Sequence, residues 1–249
     1  MTLRAVLFDV GETLWHTPAA PPAEDFRRWA AEAATRQLAE WVIECPDPAL
    51  AARAAWASVE DAMAAARVSD LREPHYATVA RDALAANAGL QLTVAQAEAF
   101  LEAIYVSGAD AGKVAYPGAA ETLLRLKSAG LLLATATNRV FGGARFRCDL
   151  RVCGIDPGWD AHSISAEVGY LKPHPAVFEH ALEQLGVAPG EALMVGNSLK
   201  EDIAGAARLG IPTAWFRCKP DAQDIHPDWT IDSVPELLEL PPIREVLGG

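Results

Sequence analysis

Four short apolar runs, at residues 5–8, 131–135, 192–195 and 212–216, stand out against longer stretches in which apolar residues recur every three or four positions. Such runs read as strands buried on both faces, and the helical patterns between the later ones give the alternation of a doubly wound parallel sheet. The segment from Gly118 to Lys127 predicts a helix closed by Gly130, and the segment after Asp202 predicts one closed by Gly210. Each glycine suits the left-handed position just past a helix end.

Residues 18 to about 115 break this rhythm, with no strand-like run and four amphipathic helical patterns in succession. The first pattern puts Phe26, Trp29, Ala33 and Trp41 on one side, and the second puts Trp56, Val59 and Met63 at spacings of three and four. The third carries Tyr76, Val79, Ala83 and Leu84 and runs out at Gly89, and the fourth begins at Thr93 with Gln96 as its capping-box partner. These stripes read as bundle core. Residues 18–22 and 108–112, rich in proline or glycine, flank the segment as expected hinges. The expected organisation is therefore an α/β, Rossmann-like core formed by residues 1–17 and 113–249, with an all-helical domain inserted at 18–112.

A chain of 249 residues, 51% hydrophobic and 22% charged, is ample for such a core without covalent staples. Its formal net charge of −12, with no Lys/Arg cluster longer than a pair, argues against nucleic acid as a partner. An anionic substrate must be drawn in locally. Cys45, Cys148, Cys153 and Cys218 show neither CxxC spacing nor a histidine at zinc-ligand spacing, and read as reduced thiols. No apolar stretch approaches the roughly 18 residues of a membrane span or forms a signal-peptide h-region, so a cytoplasmic, non-membrane protein is expected, monomeric or homodimeric. The six histidines form no spacing that suggests a ligand set.

The chemistry lies in four short segments. VLFDVGETLW, residues 6–15, carries Asp9 from the end of an apolar run into a glycine-containing turn, where a carboxylate is exposed as a nucleophile at a sheet edge. LLLATATNR delivers Thr137 and Asn138 to the end of a strand, a hydroxyl and an amide able to grip an oxyanion. Lys172, in GYLKPHPAVFEHAL, precedes a proline and a helix that turns Val177, Phe178, Ala181 and Leu185 inward. In LMVGNSLKEDIAGA a strand ends at Gly196, followed by Asn197 and, five residues later, Asp202 at a helix start. Each segment alone has an ordinary reading as a turn, a surface lysine or a first-turn acid. Order and spacing together override those readings.

In that order, with a helical insert between the first and second segments, the chain resembles the haloacid dehalogenase superfamily with a helical type-one cap. The resemblance implies a hydrolase in which Asp9 attacks phosphorus in line and the resulting aspartyl phosphate yields to water. It further implies that Lys172 neutralises a phosphoryl oxygen and keeps Asp9 ionised, with Thr137 and Asn138 donating to the phosphoryl group. Mg²⁺ would be held by Asp9, the backbone carbonyl of Gly11, Asn197 and Asp202.

Two positions depart from the superfamily pattern. Gly11 stands where a second aspartate commonly serves as proton donor, a group that contributes about 10²–10⁴ in rate. Glu12, one residue on, reads as a solvated turn acid. Asn197 puts a neutral amide where a carboxylate is usual, which weakens the Mg²⁺ site. Three functions therefore stay open: a Mg²⁺-dependent phosphatase of a small cytosolic metabolite; a metal-free 2-haloacid dehalogenase, with Arg36, Arg27 or Arg28 as receiver of the substrate carboxylate; and a catalytically weakened member that binds ligand without turnover.

Overall fold

The structure, a computed structural model, describes residues 2–221 and 223–248. The chain divides into two compact units, Met1–Pro18 with Lys113–Gly249, and Ala19–Gly112. Strand β1 (Ala5–Phe8) opens the first unit, and a two-residue strand β2 (Trp15–His16) follows the turn after it. The second unit contains α1 (Ala23–Glu40), α2 (Pro48–Arg67), α3 (Tyr76–Ala88) and α4 (Val94–Ile104). The first unit resumes with β3 (Val114–Ala115), α5 (Ala119–Ser128), β4 (Leu132–Thr137), α6 (Gly143–Val152), β5 (Ala161–Ile164), α7 (Ser165–Val168) and α8 (Pro175–Leu185). It ends with β6 (Ala192–Gly196), α9 (Ala204–Ala207), β7 (Thr213–Phe216), β8 (Trp229–Ile231) and α10 (Pro241–Leu247).

Six strands form one sheet in the order β5-β4-β1-β6-β7-β8, every pairing parallel. Successive residues of each strand face opposite sides. Val6, Phe8, Leu133, Leu193 and Val195 join Leu123 and Leu126 of α5 in one core, while Ala5, Leu7, Ala134 and Met194 join Phe178 and Leu182 of α8 in the other. Burial on both faces is why these segments read as unbroken apolar runs. From β1 the chain winds outward through β4 to β5, then crosses to β6 on the other side of β1 and winds outward again. The carboxyl ends of β1, β4 and β6 thus meet where the winding reverses, the place at which an open α/β sheet leaves a crevice.

Two parallel strands, β5 and β8, were not predicted. β5 (AHSI) interleaves His162 and Ser163 with its apolar residues, and β8 has only three residues, so neither forms an apolar run. The antiparallel pair β2–β3, with Trp15 opposite Ala115 and His16 opposite Val114, was also unpredicted. It ties the segments on either side of the helical unit into the core. Gly130 and Gly210 adopt the expected left-handed conformation, with φ of 86° and 75°.

In the helical unit α1 packs on α2 and α4, and α3 on α2 and α4. The capping box forms as expected, Thr93 Oγ1 accepting from the Gln96 N–H at 3.2 Å and Gln96 Oε1 from the Thr93 N–H at 3.0 Å. The predicted stripes need correction. The residues buried in α1 are Ala34 and Leu38, and those in α2 are Ala51, Ala52, Ala55, Val59 and Ala66. Phe26, Trp29, Ala33, Trp41, Trp56 and Met63 are half-buried at the margins. Alanines let these helices approach closely, so the seam follows the small residues and the large ones flank it. Among the described residues no helix is long and apolar enough to cross a membrane.

His162 provides a test of the β5 environment. Its ring accepts or donates to Thr135 Oγ1 at 3.1 Å and packs edge-on against Phe146, with centroids 5.6 Å apart. Burial, then the Arg147 charge, holds its pKa below the usual histidine value. A depressed folded-state pKa means that the unfolded chain takes up the proton first, so stability is full above about pH 6.5 and is lost as pH falls below it. Urea unfolding between pH 7.5 and 5 should show a smaller acid loss for His162→Gln than for the parent protein.

Candidate active site

The turn after β1 is tight. The Asp9 N–H continues the sheet by donating to the Val195 carbonyl at 2.9 Å, and the N–H groups of Thr13, Leu14 and Trp15 all converge on the Val10 carbonyl. Buried Val10 and Leu14 anchor the two sides of the loop. Inside it Thr13 Oγ1 lies 3.0 Å from Asp9 Oδ2 and 3.2 Å from Asn197 Oδ1. Glu12 is left-handed, with φ of 56°, and its carboxylate pairs with exposed Lys219 at 3.1 Å. That matches its reading as a solvated turn acid. Gly11 has ordinary φ, and a Cβ added there would meet only Trp15 Nε1, at 4.0 Å.

Lys172 joins the first and last segments. Its ammonium donates to Asp9 Oδ1 at 2.8 Å and to Asp202 Oδ1 at 2.6 Å, and the residue is 1% exposed. Thr137, at the end of β4, donates to the same Asp9 oxygen at a long 3.4 Å. Asn138 was expected to grip an oxyanion; the structure gives its amide to Lys172. Its Oδ1 accepts the Lys172 N–H at 2.7 Å, and its Nδ2 donates to the Lys172 carbonyl at 3.2 Å and to Glu201 Oε2 at 3.3 Å.

Asp202 is placed by a change of helical pitch. Ser198 starts a π-helical turn, Leu199–Ile203, in which the Ile203 N–H reaches back five residues to the Ser198 carbonyl. Asp202 Oδ2 accepts the Ser198 N–H at 2.9 Å. A Cβ on Gly196 would fall 2.3 Å from that same oxygen, so only glycine ends β6 at this approach.

Two carboxylates share one ammonium in a nearly dry site, which with both carboxylates ionised carries one net negative charge. Burial pushes Asp202 up to about 7, with Lys172 opposing the shift and Asp9 adding to it. Burial also works against the Lys172 charge, yet the Asp202 and Asp9 carboxylates outweigh it and hold the ammonium above the usual lysine value. The arrangement is short of positive charge.

Among the described residues no three His, Cys, Asp or Glu side chains gather as a metal ligand set. The donor chemistry nevertheless fits Mg²⁺, which is commonly held by one or two carboxylates with water completing its shell. Asp9 and Asp202 supply the carboxylates, and Asn197 Oδ1 faces the same hydroxyl as Asp9 Oδ2, two acceptor oxygens for one hydrogen. The Asn197 backbone carbonyl accepts from Trp215 Nε1 at 2.9 Å.

Glu201, Ser198 and Arg139 were not singled out from the sequence. Arg139 is half-buried, donates to Asp149 at 3.2 Å and lies on the ring of Trp15. Of the candidate carboxylate receivers, Arg28 is exposed and paired with Asp25 at 2.6 Å, and Arg27 is exposed on α1. Arg36 lines a hollow of about 320 Å³ with Trp29 and Tyr105 in the helical unit. His174 caps α8 by accepting the Ala176 N–H at 3.2 Å, a structural use. All four cysteines are unpaired.

A family model of haloacid dehalogenase-like hydrolases matches residues 3–210, and the chain belongs to that family of hydrolytic enzymes. It is 37% identical over 131 residues to a glyceraldehyde 3-phosphate phosphatase of Pyrococcus furiosus, covering 50% of this chain and 53% of the relative. It is 35% identical over 124 residues to a phosphoserine phosphatase of Thermus thermophilus, covering 49% of each. The chain thus spans about half the length of the curated relatives it matches. A 2-haloacid dehalogenase from Pseudomonas syringae superposes with a TM-score of 0.64 over 99% of both chains, at 22% identity, and shares the fold.

Removing the shared cation isolates its structural contribution. Lys172→Met leaves two buried carboxylates facing each other and should lower stability in EDTA by about 3–5 kcal/mol, the usual cost of breaking a buried ion pair. Adding Asp202→Asn to that variant should restore part of the loss, read by urea unfolding.

Proposed function

We propose that this enzyme is a Mg²⁺-dependent phosphatase of a small anionic metabolite, with Asp9 as nucleophile. The observation that carries the reading is the pair of buried carboxylates sharing the Lys172 ammonium: the residual negative charge calls for a second cation, which phosphoryl transfer uses and ester chemistry on a haloacid does not. The curated phosphatase relatives support the same class.

In this reading Lys172 keeps Asp9 ionised and attracts a phosphoryl oxygen, and Thr137 and the N–H groups of the turn contribute hydrogen bonds to the developing charge. Asn138 is a positioning residue, acting through the Lys172 backbone. A Mg²⁺ ion bound by Asp9, Asp202, the Asn197 amide oxygen and the Gly11 carbonyl would supply charge neutralisation of the phosphoryl group. The helical unit, inserted in sequence between the nucleophile and Thr137, is the proposed selector of substrate. Without an acid at position 11, the enzyme suits leaving groups that need no proton, such as those of aryl and acyl phosphates.

Phosphate release from aryl, acyl and primary alkyl phosphates, with Mg²⁺ or EDTA, tests this. Turnover of the first two should require Mg²⁺ and be abolished by Asp9→Asn. Halide release from 2-haloacids in EDTA, with no phosphate release from any ester, would overturn the reading in favour of a dehalogenase. Position 11 has room for a side chain, so Gly11→Asp should raise alkyl phosphate turnover by about tenfold or more, within the range of an added general acid.

A further inference from the structure

Trp15 is 3% exposed, and its indole N–H, which makes no hydrogen bond among the described residues, is not one of the buried unpartnered atoms: what the ring leaves accessible includes that nitrogen. Trp159 and Trp215, in the same unit, donate to the Ile155 and Asn197 carbonyls at 3.0 and 2.9 Å. Those two indoles spend their donors inside the fold, whereas the Trp15 donor is free for a group outside it. The Trp15 nitrogen instead borders the open space beside Gly11, where it is the lone neighbour of a Cβ position, at 4.0 Å. That space lies two residues past the nucleophile, where the usual first motif would put its second aspartate.

The ring is fixed in that pose. The Trp15 backbone N–H donates to the Val10 carbonyl at 3.2 Å, its backbone carbonyl accepts from the Glu12 N–H at 2.8 Å, and β3 pairs with it. Lys113 Nζ and the Arg139 guanidinium lie 5.0 and 5.2 Å from the ring centroid. One carboxylate, Asp149, serves both cations, at 3.8 and 3.2 Å. Cations over an indole draw electron density from it and make its N–H a stronger donor.

We propose that the Trp15 indole N–H binds the leaving-group oxygen of the phosphoryl substrate in the space left by Gly11, an inference that rests on the phosphatase reading. As an Asp9 oxygen bonds to phosphorus, the phosphorus–oxygen ester bond breaks and its electron pair passes to the leaving oxygen. Trp15 holds that charge through the hydrogen bond and keeps its proton, because an indole is too weak an acid to release it. Water supplies the proton. Trp15 is in this account a catalytic residue that stabilises charge, in a corner with no general acid.

The test has two parts. Across aryl phosphates of increasing leaving-group basicity, Trp15→Phe keeps an aromatic face for Lys113 and Arg139 but loses the donor. Its rate should fall roughly tenfold or more for phenol-like leaving groups and little for acidic nitrophenols, so that the dependence steepens. An equal loss across the series would overturn the proposal. In parallel, inorganic phosphate and Mg²⁺ are titrated into the ¹⁵N-labelled wild-type protein, with the Trp15 indole signal assigned from Trp15→Phe. Movement of that signal together with the backbone amides of residues 10–13 is the expected result. Movement of the amides alone overturns the role of Trp15 and leaves the phosphatase reading standing. No movement of either overturns both.

Discussion

A lysine ammonium buried between two carboxylates holds this site together. Lys172 bonds Asp9 from the first strand and Asp202 from the last motif, two residues 193 positions apart in sequence. Taking three charges out of water is costly, and the mutual attraction repays it only where further hydrogen bonds complete the coordination. Those bonds are present: Thr13 and Thr137 on Asp9, the Ser198 N–H on Asp202, and Asn138 on both backbone groups of Lys172. The charged centre thereby fixes the relative positions of four loops that the sheet only brings near one another.

The sheet supplies that nearness through its winding. β1 is flanked by β4 and β6, so their carboxyl ends deliver Asp9, Thr137 and Asn197 to one edge. The final placement of Asp202 needs finer devices, a π turn that changes the pitch and a glycine at 196 that removes the one atom which would collide with its carboxylate. A regular α-helical start would present a different residue toward Lys172. The candidate site depends on a local departure from ideal helix geometry, a kind of departure that is frequent at functional sites.

The same physics explains what the sequence disclosed. Strands buried on both faces must be apolar throughout, so β1, β4, β6 and β7 were legible, whereas β5 and β8 were too polar or too short to stand out. The helical bundle was legible as four periodic stretches, but its seam was not, because close packing selects alanine and pattern reading favours bulk. In the site, residue types and spacing picked out Asp9, Lys172, Thr137, Asn138, Asn197 and Asp202, which the fold brings together. Directions escaped the sequence: nothing in the letters shows that Asn138 spends its amide on Lys172, that Glu201 joins it, or that the Trp15 nitrogen turns toward Gly11.

The two departures from the superfamily's pattern act on charge more than on shape. Position 11 has space for a side chain, and the Asn197 side chain meets the Thr13 hydroxyl through its Oδ1. A carboxylate at 197 would face Asp9 across the Thr13 hydroxyl and add to the repulsion at a site where burial, and then Asp9, already push Asp202 up to about 7. The amide avoids that repulsion around the Lys172 ammonium, which bonds both Asp9 and Asp202. Glycine at 11 removes another carboxylate from the same corner and opens it to Trp15, whose ring carries two cations behind it. Both departures therefore shift the corner in one direction, from carboxylates toward uncharged groups.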